Sequence, residues 1–223
     1  MLMDLVTLLL LTDSRLPAGT HAHSGGLEAA VDAGRVRDAA TLHDFLLGRL
    51  TSAGLTSAAF AAATVFGRGD PAQLDDEYDA RTPSPAQRRA SRRLGRQLVR
   101  AARAGWPHPG LDKALAVHPD GPHQPIAFGT AAAAAGLEPP ATAQAAALGA
   151  VTGPANAATR LLGLDPDAVT AVLAALAPTV REVASAAARA ACGPVADLPA
   201  SSALLLDISA EHHATWEVRL FAS

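Results

Sequence analysis

Helix-initiation chemistry recurs along this chain while strand chemistry hardly appears, and that imbalance limits the fold more than any other feature. Asp70-Pro71-Ala72-Gln73 and Ser84-Pro85-Ala86-Gln87 each place a side-chain acceptor before a proline at the first helical position, with glutamine at the third. The acceptor takes an unpaired amide of the first turn, proline there forfeits no bond, and glutamine reaches back to the cap. Asp165-Pro166-Asp167 is a third start of this kind, lacking the glutamine. Helices are expected over about 3–13, 25–33, 39–66, 71–79, 85–104, 124–135, 140–151, 154–162, 166–191 and 201–215. Pro178 lies inside 166–191, where it removes one ladder bond and is expected to kink the helix. The segments 105–110 and 118–122 are dense in Gly and Pro and break the pattern, but they flank one short stretch rather than join two domains.

Alanine, the best helix former, is the commonest residue, and aromatic residues make up only 4% of the chain. At 223 residues, about 70 to 75% of the unfolded surface can be buried. The expectation is an all-α, single-domain helical bundle of about ten helices spanning 1–223, with no substantial sheet. A net charge of −3 and a pI near 6.2 exclude whole-protein attraction to nucleic acid or an anionic membrane. The single cysteine, Cys192, makes no internal disulfide and fits a reducing compartment. The apolar stretch Leu5–Thr12 follows Asp4, has no leading Lys or Arg, and falls short of the ~20 residues of a spanning helix. It reads as a buried helix of a cytoplasmic protein.

Residues 14–34 hold the densest group of unusual residues: a loop with Pro17, Gly19, His21, His23, Ser24, Gly25 and Gly26, restarting as a helix at Leu27-Glu28. A phosphate loop needs Lys and a hydroxyl directly after its glycines, and Leu27-Glu28 stand there instead. A hydrolase elbow needs Gly-x-Ser-x-Gly, but Ala22 lies two positions before Ser24. Arg88, Arg89, Arg92, Arg93, Arg96, Arg100 and Arg103 share a broad face of one helix, read as a solvated or partner-facing surface. Trp216 and Phe221 place two of the few aromatics in the last eight residues, either docked on the protein's own core or held for a partner.

Leu16-Pro17-x-Gly19 followed by Ser24-x-Gly26-Leu27-Glu28 resembles the N-terminal signature of the urease accessory protein F family. Further matches follow in the family's order. Ala90-Ser91 with Gly95 and Leu98, Pro125-Ile126-Ala127-Phe128-Gly129, Ala158-x-Arg160-Leu161 and Arg219-Leu220-Phe221-x-Ser223 are each similar to a family segment. Gly163, Asp165, His23 and Ala214 depart from the common pattern.

The resemblance implies a non-enzymatic urease maturation chaperone. It implies binding to the D-type accessory protein (called H in some species), recruitment and regulation of the nickel-carrying GTPase G, and nickel insertion into apo-urease, within a complex containing a homodimer of this chain. It places Glu28 and Arg160 on the surface that acts on the GTPase, and Trp216, Arg219, Leu220 and Phe221 in a tail that orders on binding a partner. Placement near a helix end is the plain alternative for both Glu28 and Arg160. No cofactor is expected to bind tightly and nickel is handled by the complex. Imidazoles suit nickel, so His21 and His23 are candidates for a transient contact, not firm ligands. His212 and His213, adjacent on a helix, point about 100° apart and do not readily share an ion. The rival readings are a generic helical interaction scaffold and a small His-dependent hydrolase built on His21, His23 and Glu28.

Overall fold

The computed structural model describes residues 5–13, 15–18, 22–201 and 203–222. Among them every regular element is helical and no strand occurs, as the start signals require. The helices are α1 (Leu5–Thr12), α2 (Leu27–Asp32), α3 (Ala39–Arg49), α4 (Leu55–Phe66), α5 (Pro71–Ala80), α6 (Pro85–Gly105), α7 (Pro109–Ala116), α8 (Gln124–Ala134), α9 (Pro139–Leu162), α10 (Pro166–Ala190) and α11 (Leu204–Ala214). The capping acceptors act as expected, whereas the glutamines do not close capping boxes, Gln87 Nε2 donating to Asp207 instead. Asp70, Ser84 and Asp165 accept the first-turn amides of Ala72, Gln87 and Asp167.

The centre of the bundle is α4, whose Ala58 to Ala63 are all buried, packed between α8, α9 and α10. Small residues set the spacing. A Cβ on Gly129 of α8 would lie 2.4 Å from the Ala61 carbonyl oxygen, so the two helices approach backbone to backbone. The expected helix 39–66 is continuous, because Leu50–Gly54 forms a π-helical turn that joins α3 to α4. By length and composition α10 alone among the described helices is long and apolar enough to cross a bilayer. Here it buries Val169, Val172, Leu176, Val180, Val183, Ala184 and Ala187 while packing against α9, α4 and α3, and it runs unbroken through Pro178.

Three expectations need correction. The segment 140–162 is one helix rather than two, although Pro154 supplies no amide for the Ala150 carbonyl. Arg49 Nε donates to that carbonyl at 3.0 Å, so the lost ladder bond is replaced from another helix. The stretch between the two breaks is itself a helix, α7, started by His108, whose Nδ1 accepts the Gly110 amide ahead of which stands Pro109. Finally, α1 is not a buried helix. Only Leu11 is buried, whereas Leu5, Val6, Leu9 and Leu10 are exposed.

The arginine face is also used differently from the expectation. Arg92 is buried and pairs with Asp75 at 2.7 Å and Asp79 at 2.9 Å, both on α5, while its Nη1 also donates to the Gly121 carbonyl. Arg88 reaches Asp79, Arg96 binds the carbonyls of Pro119 and Asp120, and Arg103 pairs with Asp112. These arginines therefore anchor the loop 118–123 and the neighbours of α6. Gly95 lets that loop approach, since a Cβ there would fall 2.0 Å from the Pro122 carbonyl oxygen.

His123 completes this cluster. Its amide donates to Asp75, and its ring lies 3.1 Å from Ser91 Oγ and 3.0 Å from Asp79 Oδ1. The Asp79 carboxylate only accepts, so Nε2 of the neutral ring carries the proton and donates to it, and Nδ1 then accepts from the Ser91 hydroxyl, whose oxygen also accepts the Gln124 amide. Burial pushes the imidazole below its ordinary pKa; Asp75 and Asp79 oppose that and the Arg92 charge adds to it. Burial works to raise Asp79, yet the hydrogen bonds from His123 and Arg92 outweigh it and hold this carboxyl low.

Gly95→Ala is expected to cost about 3 kcal/mol in urea unfolding, because rigid backbone rather than a mobile side chain meets the new methyl. The unfolded chain protonates His123 near its ordinary pKa while the folded one resists. Stability is therefore full above about pH 6.5 and declines below it, by up to about 1.4 kcal/mol per pH unit from this group. Urea melts at pH 7.5 and 5.5 are expected to show a smaller difference in His123→Asn than in the parent.

Candidate functional site

The loop before α2 brings chemistry together because its local bonding turns it back on itself. The Ala18 amide donates to the Leu16 carbonyl at 2.6 Å, closing a tight turn at the exposed Pro17. Buried Ser24 then accepts the Glu28 amide on Oγ at 3.2 Å. Gly25 and Gly26 both adopt left-handed backbone, with φ of 61° and 90°. At Gly26 a Cβ would also press within 3.0 Å of Leu206 on α11. Gly19 and His21 lie outside the described residues.

Glu28 is buried at the start of α2, and its carboxylate is filled by the far end of the chain. Oε1 accepts the Leu220 amide at 2.8 Å, and Oε2 accepts the Phe221 amide at 3.1 Å and faces His213 Nε2 at 2.8 Å. The Ala222 amide adds a bond to the Ala22 carbonyl at 2.7 Å. Phe221 is 5% exposed, and the Arg160 guanidinium sits 5.0 Å above its ring in cation–π geometry. Glu28 and Arg160, singled out separately in the sequence, thus hold the same tail residue.

The tail is divided in its use. Phe221 is occupied by the protein's own contacts, so this residue is docked without any partner, while Leu220 and Val218 are 74% and 85% exposed. Trp216 is half-buried, stacked 4.7 Å from the His213 ring, and its Nε1–H donates to His212 Nδ1. His213 is turned in and His212 is exposed, in keeping with their angular separation. Arg219 is exposed.

Under the tail lies a cavity of about 990 Å³ bounded by the loop, α6, α9 and α11, with His23, Arg49, Arg160, His213 and Phe221 on its wall. Arg49 was missed in the sequence, where it is one arginine among many. Its Nη1 donates to the Gly25 carbonyl at 2.8 Å while Nε holds Ala150, so it ties the glycine loop to α9 beside Pro154. Burial pushes its pKa below the ordinary value, Tyr78 pulling the other way. Among the described residues no group of three His, Cys, Asp or Glu is placed to hold a metal ion. His23 is half-buried on the cavity wall.

Glu28→Ala removes an acceptor from two tail amides and His213, at an expected cost of about 3 kcal/mol. Hydrogen exchange is expected to lose protection at Leu220 and Phe221 while the α4 amides keep theirs. Retained protection at both tail amides would refute the carboxylate as their anchor.

Comparison with known proteins identifies the family. The family model described as UreF matches residues 36–177. The urease accessory protein UreF of Mycobacterium sp. (strain JLS) is 48% identical over 219 residues, covering 98% of this chain and 99% of that protein. The UreF of Mycolicibacterium vanbaalenii is 47% identical over 223 residues, covering 99% of each chain. The Mycobacterium tuberculosis H37Rv protein of that name is 43% identical over 210 residues, covering 94% of each chain. With a family match over more than half its length and full-length relatives well above 30% identity, the chain belongs to the UreF family of urease accessory proteins.

Proposed function

We propose that this protein is a non-catalytic assembly chaperone of urease maturation that works by presenting surface to other proteins. The observation that carries this reading is apolar side chains left uncovered on α1, α11 and the tail. Leu5, Val6, Leu9 and Leu10 of α1, Leu204, Leu205 and Ile208 of α11, and Val218 and Leu220 of the tail are all more than half exposed. Contiguous exposed apolar surface marks interaction sites. In this reading the D-type (or H-type) accessory protein covers the tail and its neighbours, and the nickel-carrying GTPase G joins the complex for nickel insertion into apo-urease. A homodimer of this chain in the cytoplasm forms the core of that assembly.

Glu28 and Arg160 act on the GTPase indirectly here, by setting the position of Phe221 and so of the exposed Leu220 next to it. The described His23 remains available to the reading only as a transient nickel contact. Neither rival gains an observation: a hydrolase would need a cluster of His23 with Glu28, and the Glu28 carboxylate is instead committed to His213 and the tail.

Co-expression with the cognate D-type and G-type proteins, followed by size exclusion with light scattering, tests the proposal. A ternary mass is expected for the full chain and its loss on deleting 216–223. A full-length chain that stays alone beside folded partners would overturn it. Arg160→Ala, which frees the Phe221 ring, is expected to weaken the D-type contact several-fold and to lower urease activation.

A further inference from the structure

The cavity beneath the tail is charged in a way that the assembly reading does not require. Arg49, Arg89, Arg93, Arg160 and Arg219 stand on its wall, and among the described lining residues the one acid is Asp13. That acid is already engaged by Arg15, at 2.7 Å. A chain with a net charge of −3 therefore concentrates positive charge in one hollow, where low-dielectric walls focus the field.

Arg49 is the most telling of these residues. Its hydrogen-bond partners are two neutral carbonyls, of Gly25 and Ala150, and among the described residues no carboxylate lies within ion-pair distance of it. Guanidinium groups taken out of water ordinarily find an anion, and the planar fork suits a carboxylate. Across the cavity stand Leu11, Leu16, Leu98 and Phe128, so the hollow offers apolar contact as well as charge. Its volume of about 990 Å³ far exceeds a single small oxyanion, and the part-exposed Leu148 is among its lining residues.

We infer that this cavity receives an acidic, leucine-bearing polypeptide segment of a partner, with one carboxylate seated on Arg49. The inference deepens the assembly reading by naming the chemistry of the partner segment, and it rests on that reading.

The probe is a fluorescein-labelled hexapeptide set alternating Leu with Glu, titrated into the full chain by fluorescence polarisation beside the matching Leu/Gln set. Binding of the Glu set is expected, with a loss of about tenfold or more in Arg49→Gln and an equal loss for the Gln set. Replacing both is expected to cost no more than replacing either, because one contact is removed in each case. Arg49→Lys keeps the charge without the fork and guards against a folding artefact, as does a helical circular-dichroism spectrum retained by each variant at the temperature of the titration. Arg100→Gln, on exposed α6 surface outside the cavity wall, is expected to bind as the parent does. Equal binding of both peptide sets, no binding into the millimolar range, or displacement by acetate no better than by chloride would overturn the inference. So would tight capture of acetate or phosphate without peptide binding. The titration needs no partner protein, so its failure leaves a ternary complex intact, whereas failure of the complex is read separately by light scattering.

Discussion

A carboxylate taken out of water must be given donors, and in this protein the donors for Glu28 come from the opposite end of the chain. Two tail amides and an imidazole converge on one side chain at the start of a six-residue helix. Helix α2 is too short to hold its own position by backbone bonding alone. The arrangement fixes three things at once: the entry of α2, the path of the tail, and the inward face of α11 through His213. Arg160 closes the same knot from α9 by lying over the Phe221 ring. Surface presented by Val218 and Leu220 is thus positioned by groups that themselves stay inside.

A second long-range substitution links this knot to the core. Proline inside α9 frees the Ala150 carbonyl, and Arg49, at the end of α3 where the π-helical turn begins, supplies the missing donor. The same guanidinium reaches the Gly25 carbonyl. Gly25 in turn has no room for a Cβ, which would sit 3.0 Å from the Pro154 ring. The glycine loop, the bulge between α3 and α4 and the proline of α9 therefore form one mechanical unit, and each irregularity is satisfied by another. Irregular backbone of this kind gathers where a fold positions its functional surface.

What was legible in the sequence follows from the range of the interactions. Asp70-Pro71, Ser84-Pro85 and Asp165-Pro166 announced their helices because a cap is satisfied within three residues. His108 did the same for α7 with an unusual capping residue, and that start went unread. Pro154 reads as a break in sequence because the donor that replaces its amide stands 101 residues from the Ala150 carbonyl it satisfies. The run Leu5–Thr12 was read as buried because hydropathy says how apolar a face is and nothing about which surface covers it. Arg92 looked like its neighbours on a solvated stripe, since its counter-ions Asp75 and Asp79 belong to another helix. Family likeness, not pattern, drew attention to Glu28, Arg160 and the tail, and only the fold showed that they meet.

The alanine-rich centre carries a consequence for how such a chain drifts over evolutionary time. Around the buried Phe60, the alanines at 58, 59, 61, 62 and 63 of the central helix are enclosed, and at Gly129 the neighbouring helix leaves no space even for a methyl group. Larger residues at these positions would push helices apart rather than fill a gap, and smaller ones would give up helix propensity. Substitution there is confined to a narrow set of tiny side chains, so variation accumulates on the outward faces, where it alters what the molecule meets without altering what it is.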